Sequence, residues 1–305
     1  VFAFTIKKLF VGLLVMLAVS AITFTLTNVA ADPARTLAGE GATSADVEAI
    51  RTAYGFDRPV VVRYGEWLGK ALRADLGDSY RQRRPVTDVI FERLPVTLTL
   101  GSLAFGLALL VALPLGIAAG LRPNSWIDRL ALGIAIVGQA MPSFWFALIG
   151  IVVFSVSLRW LPVSGSATWA HFVLPSVVLA YYATPTLMRL TRAGIVEVMG
   201  SDFIRTARAK GLGMGKVVFK HALRNAILPL VSVAAVQFGF MLGGSVVIET
   251  IFAMQGVGYL AWEAISYSDL PVIQAIVLVI AAIYVVLTFG ADLLNAWLDP
   301  RLRSN

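Results

Sequence analysis

Six apolar runs, each near the ~20 residues needed to cross the hydrocarbon core of a bilayer, constrain this chain more than any other feature. They extend from Leu9 to Val29, Val96 to Ala119, Leu130 to Leu158, Phe172 to Leu190, Ile227 to Ile248 and Val272 to Trp297. Lipid offers no water to backbone polar groups, so each run must satisfy its own N–H and C=O groups as a helix. With 58% hydrophobic and only 14% charged residues, an ordinary globular surface is excluded. The expected fold class is an all-α polytopic membrane protein with six transmembrane helices.

Residues 1–30 hold the N-terminus and the first helix. A cleaved signal peptide with Ala30 and Ala31 at its cleavage site competes for this run, but its apolar core would be only ~7–15 residues, so the run reads as a span. Residues 31–94 are different material, with acidic and basic residues interleaved, and read as a small helical extramembrane insert between helices 1 and 2. Thr43 followed by Asp46 resembles a helix start, Val47, Ile50 and Tyr54 recur at helical spacing, and Gly55 supplies the stop. Asp57 and Pro59 open a second helix with Val60, Tyr64, Trp67, Leu68 and Ala71 on one face and Gly77 beyond its end. The insert is read as a cap on the membrane part, with a docking surface for a soluble partner as the alternative. Arg81, Arg83 and Arg84 sit among Asp78, Asp88 and Glu92, which makes a mixed-charge solvated face and not a phosphate site.

Residues 95–305 form the core. Gly116 and Gly120 make a GxxxG pair that permits close helix approach. The third run carries Gln139 and Pro142. The stretch from Glu249 to Pro271 is too apolar for a free loop and too polar to cross, so it reads as re-entrant or surface-lying. Asp292 is an acidic group inside a span but close to its end, and is expected to reach the interface or to pair with a basic residue of that layer. With both termini placed in the cytoplasm, the inner segments hold Lys7, Lys8, Arg122, Arg129, Arg189, Arg192, Arg205, Arg208, Lys210, Lys216, Lys220, Arg224, Arg301 and Arg303, whereas the short outer loops hold only Arg159. Such a bias sets orientation, and the insert, with ten basic and ten acidic residues, translocates largely regardless of charge.

Catalytic equipment is sparse. A phosphate loop ends in Gly-Lys-Ser/Thr, but Gly69-Lys70 is followed by Ala71 and Gly215-Lys216 by Val217. There is no cysteine, and His171 and His221 lie far apart, so no metal motif is read. The net charge of +7 belongs to membrane-flanking loops, so no nucleic acid is expected as partner. Few ionisable groups lie at mid-bilayer, so an ion-coupled carrier lacks its usual equipment and energy is expected from outside the chain.

That places weight on the basic segment at 195–229. A helix from Asp202 puts Phe203, Ala207 and Lys210 on one side before Gly211 breaks it. A second, from Met214, groups Val217, Val218 and Ala222, with Lys216, Lys220 and Arg224 along another face, until Pro229 opens the fifth span. Two short helices make a compact knob, suited either to receiving force from a soluble engine or to lying on anionic lipid.

The segment RTARAKGL at 205–212 with FKHALRNAILPL at 219–230 resembles the cytoplasmic loop of binding-protein-dependent ABC importer permeases of the dipeptide, oligopeptide and nickel type. The likeness extends to YGFDRPVVVRYGEWLGKALRADLGDSY, RRPVTDVIFERLPVTLTL, AMPSFWFALI, HFVLPSVVLA and ADLLNAWLDPRLR, and so covers most of the chain. It implies a type I ABC importer permease fold in the bacterial inner membrane and alternating access. It further implies a coupling helix set in an ATPase groove, formed here by Asp202, Phe203, Arg205, Thr206, Ala207, Arg208, Lys210, Gly211 and Leu212. The partners implied are a second homologous permease in a heterodimer, two ATPase subunits or one fused ATPase, an extracytoplasmic binding protein, and membrane lipid. This chain would bind no cofactor, ATP and magnesium belonging to the ATPase. Arg205 stands where the general family has Glu, as in the peptide-type subgroup. Where that subgroup commonly has Phe, two residues and Pro-Gly-x-Gly, this chain has Phe252, Ala253, Met254, Gln255, Gly256, Val257 and Gly258, without the proline. The expected cargo is a peptide, with nickel complexes, glutathione or opines as alternatives on the same fold. A self-sufficient secondary carrier or intramembrane enzyme is the alternative from another class. Gln139, Gln237, Met241 and Glu249 are the candidate pathway residues.

Overall fold

The computed structural model describes residues 2–29, 32–39 and 41–298, so the Ala30–Ala31 pair, Arg301 and Arg303 lie outside the described residues. In chain order the helices are α1 (Phe2–Val29), α2 (Pro33–Ala38), α3 (Ser44–Ala53), α4 (Val60–Ala71), α5 (Val86–Leu121), α6 (Trp126–Ala140), α7 (Ser143–Gly150), α8 (Ala170–Met199), α9 (Asp202–Ala209), α10 (Met214–Lys216), α11 (Leu223–Ala226), α12 (Leu228–Ile251), α13 (Val257–Ser266) and α14 (Leu270–Leu298). Two π-helical stretches, Ile151–Ser157 and Val217–Ala222, extend α7 and join α10 to α11.

Four helices among the described residues, α1, α5, α12 and α14, are long and apolar enough to cross a membrane. The third expected span is broken into α6 and α7, whose axes meet at 98°. Pro142 explains the break: it lacks an N–H and forces the preceding Met141 into extended geometry, φ −85° and ψ 130°. The fourth, α8, has 30 residues, about 45 Å at ~1.5 Å per residue, but fails on apolarity. It carries His171, Arg189, Arg192 and Glu197 and is wrapped by α5, α6, α7 and α12, so protein takes the place that lipid has around the others.

The tightest contact is between α5 and α8, which run in the same direction. Leu100, Ala104, Ala108, Ala112, Gly116 and Gly120 recur every four residues and are buried, giving α5 a nearly flat ridge. A Cβ on Gly116 would lie 2.7 Å from the Met188 carbonyl oxygen, and one on Gly120 would lie 2.8 Å from Ile195 Cβ. The GxxxG spacing is thus a backbone-to-backbone contact. On the far edge α1 packs against α14, where Lys8 Nζ lies 2.8 Å from the Asp292 carboxylate, the pairing expected for Asp292. This contact brings the start of α1 and the end of α14 to the same face.

The two helices read in the insert form as α3 and α4, preceded by a short α2, and α5 begins at Val86, within the 31–94 bounds. Thr43 and Asp46 form a reciprocal capping box, and the bonds from the Thr43 hydroxyl and N–H hold the Asp46 carboxyl below its usual range. Gly55 and Gly77 take φ of +66° and +82° at the expected stops. Tyr64 and Trp67 of α4 pack on Phe24 of α1 at ring-centroid distances of 5.5 and 5.6 Å, and the Tyr64 hydroxyl lies 2.8 Å from Ser20 Oγ. The insert therefore caps the membrane part. Arg84 pairs with Glu92, and the Arg81 guanidinium lies over the Tyr267 ring at 3.4 Å, so these arginines are spent on neighbours.

Candidate functional site

At the end of the molecule opposite the insert, the 195–229 segment forms the expected knob. Ile204 is 1% exposed and Ala207 7%, and both enter an apolar cluster with Ile195, Val217, Ala222 and Ala226. The cluster also takes Ile117 and Leu121 from the end of α5 and Val198 and Met199 from α8, so the knob is seated on the ends of two core helices. Ala207 therefore does not share an outward face with Phe203 and Lys210, both of which are exposed. The buried side centres between Ile204 and Ala207, three residues apart on one helical face.

Gly211 ends α9 at φ +77°. Its N–H donates to Arg208 O at 2.9 Å and the Leu212 N–H donates to Ala207 O at 3.3 Å, the two bonds of a Schellman motif, with Leu212 returning to the apolar cluster. After this turn Val217, Val218 and Ala222 are buried, while Lys216, Lys220 and Arg224 are exposed, as read. A Cβ on Gly194 would lie 2.8 Å from Ala226 O, so α8 and α11 touch through backbone.

What remains outward is mostly polar and carries more cations than anions. Asp202, Phe203, Arg205, Thr206, Arg208, Lys210 and Gly211 are exposed, and Phe219 stands 69% exposed beside them. Arg205 reaches Asp202 at 3.3 Å, an exposed pair that leaves the surface cationic. Behind the knob, Arg192 of α8 donates to Asp128 Oδ2 at 2.7 Å, and the Asn124 N–H donates to the same oxygen at 2.8 Å. Asp128 is 2% exposed, so this pair fixes the start of α6 to the end of α8. Neither Ile204 nor Asp128 was among the candidates. The signal for Ile204 is that it is the one large aliphatic residue of α9; Asp128 shows only as a capping residue after Ser125.

The four pathway candidates are not brought together. Gln139 Oε1 accepts from Arg189 at 2.8 Å, Gln237 is half-buried on α12, and Met241 is buried against a cavity of about 380 Å³ also lined by Ser143, Tyr182, Gly243 and Val247. Glu249 is fully buried within its own chain. Its Oε1 accepts from Thr97 Oγ1 at 2.8 Å and Ser245 Oγ at 3.0 Å, and its Oε2 accepts from the Tyr259 N–H at 2.9 Å. Thr97 Oγ1 in turn accepts from the Val257 N–H at 2.8 Å. A Cβ on Gly256 would fall 2.3 Å from Glu249 Oε2, so the glycine admits the carboxylate. The 252–258 loop that lacks the proline thus turns through Ala253, at φ +46°, and is held by a carboxylate in contact with α5, α12 and α13.

Residues 112–304 match the family described as binding-protein-dependent transport system inner membrane component, and residues 1–101 match the model of that component's N-terminal part. A Brucella abortus (strain 2308) protein provisionally named a peptide transport system permease is 39% identical over 310 residues, covering 99% of each chain. The glutathione transport system permease protein GsiC of Escherichia coli O6:H1 is 38% identical over 301 residues, covering 98% of each. The dipeptide transport system permease protein DppB of Alkalihalophilus pseudofirmus is 34% identical over 330 residues, covering 99% of each. Among solved structures, the inward-facing MetNI methionine ABC transporter gives a TM-score of 0.58 at 19% identity, covering 69% of this chain and 96% of that one, which shows a shared fold. The chain is a multi-pass permease subunit of an ABC importer and belongs to the family of binding-protein-dependent transport system inner membrane components.

Proposed function

We propose that this permease carries short peptides inward by alternating access, driven by separate ATPase subunits that receive the knob. The observation that supports this reading is the seating of the knob. Ile204 and Ala207 lock it to α5 and α8, and Pro229 leads it into α12, while Phe203, Arg205, Arg208 and Lys210 are exposed to meet a partner. A load on that surface moves the ends of three core helices together. ATP and magnesium are held by the ATPase, a second homologous permease forms the other wall of the pathway, and an extracytoplasmic binding protein delivers the cargo. The charge bias puts the knob and both termini in the cytoplasm. The relatives' names supply the peptide: dipeptides and glutathione are both short peptides.

The test is Gly211→Val. A β-branched residue at φ +77° is strained by roughly 1–2 kcal/mol, and nothing lies within 4 Å of the new Cβ, so the turn is altered without a clash in the core. Uptake of labelled peptide by vesicles holding the complete transporter is expected to fall at least tenfold, with co-purification of the ATPase scored separately. Undiminished uptake that proceeds without ATP would refute the reading.

A further inference from the structure

The insert touches the core on two sides of a cavity of about 930 Å³, lined by Asn28, Arg63, Trp67, Tyr80 and Gln274 among others. On one side α4 meets α1, through the aromatic contact with Phe24 and the Arg63–Asn28 hydrogen bond. The other side centres on Asp269, in the corner between α13 and α14, with the Arg81 guanidinium over the Tyr267 ring and Leu76 on the apolar cluster of α5, α13 and α14 beside it. The Asp269 carboxylate accepts from Ser79 Oγ at 2.5 Å, the Tyr80 N–H at 3.0 Å and the Arg81 N–H at 3.4 Å. Both side chains are nearly inaccessible, Ser79 at 2% and Asp269 at 4% exposure. A buried carboxylate needs several donors to offset its lost hydration, and here one short turn provides all three.

That turn is stiff and continuous with the core. Ser79 N–H donates to Arg84 O, and Val86 N–H to Gly77 O, each at 2.9 Å. Val86 is the first residue of α5 and Leu270 the first of α14, so the grip on Asp269 ties the starts of two spans to one point of the insert. The aromatic attachment reaches only α1, which packs on α14. Glu249 continues the polar connection from α5 to α12 and α13.

We infer that Asp269 is a positioning residue that passes a load on the insert to α5 and α14, so that docking of the cargo-loaded binding protein there is felt by the transport core. This rests on the importer reading above. A body held on two sides of a cavity tilts when pushed, and the side that Asp269 anchors, buried and bonded through three donors, is the one that leads into the central helices.

The experiment uses the complete transporter in lipid vesicles, with ATP hydrolysis measured without and with loaded binding protein. Asp269→Ala is expected to leave basal hydrolysis within about twofold and to cut stimulation by the binding protein at least tenfold. The chain has no cysteine, so Ser79→Cys with Asp269→Cys gives a switchable link. Oxidation of that pair is expected to restore stimulation and reduction to abolish it. Stimulation at the unaltered level in Asp269→Ala would overturn the inference. So would an equal loss of basal and stimulated hydrolysis that oxidation of the pair does not relieve, since that marks a purely structural contact. An unaltered transporter insensitive to its binding protein would instead refute the importer reading.

Discussion

Glu249→Ala is expected to destabilise the chain by roughly 2–5 kcal/mol, from two newly orphaned donors and the void left behind. The Tyr259 N–H and the Thr97 hydroxyl lose their acceptor in a site closed to water, whereas Ser245 Oγ keeps its bond to Leu242 O at 2.8 Å. For a chain of this size the unfolding midpoint in detergent should drop by on the order of 10 °C. Glu249→Gln should lose much less. Its amide nitrogen can turn toward Ser245 and Thr97, whose hydroxyls can accept, leaving the oxygen for the Tyr259 N–H. Equal midpoints for alanine and native chains would show that the 252–258 loop is held by packing alone.

Gly116→Ala and Gly120→Ala carry the second large effect, about 1–3 kcal/mol each. The atoms in the way are mostly unable to yield: at Gly116 the Met188 carbonyl at 2.7 Å, and at Gly120 the Arg192 carbonyl at 2.9 Å. A rigid carbonyl cannot rotate aside as a side-chain terminus can, so α5 and α8 must separate along their length. Gly106→Ala on the same helix meets nothing within 4 Å and should be neutral or slightly stabilising, which controls for helix propensity. The measurement is the unfolding midpoint and the yield of monodisperse protein. The paired variant is expected to lose also the seating of the knob, because Ile117 and Leu121 flank the same contact.

Local features of this fold were legible in the residues and remote ones were not. The capping box at Thr43, the glycine stops at 55, 77 and 211, and the basic knob follow from neighbours a few residues apart. The run from Leu130 to Leu158 reads as one span that carries Pro142; the steric demand of the proline on Met141 turns it into a near-right-angle corner. Glu249 reads as a pathway candidate because it is a polar residue at a span end. Its partner Thr97 lies 152 positions away, and that of Asp269, Ser79, 190 positions away. No periodicity reports such pairs, since only tertiary folding brings them together. Likewise the number of apolar spans understates the bundle, because α8 is enclosed by protein and free to be polar.

The ion pair between Lys8 and Asp292 bears on biosynthesis. Helix α1 precedes its main helical neighbour, α14, by about 240 residues of chain, from Val29 to Leu270. Until α14 has left the ribosome, α1 has the bilayer and the aromatic face of α4 for company, and Lys8 has no access to Asp292. The newborn first span must therefore be stable in lipid by itself, and its many exposed leucines, valines and phenylalanines suit that wait. Closure of this ion pair reports that α1 and α14 have met.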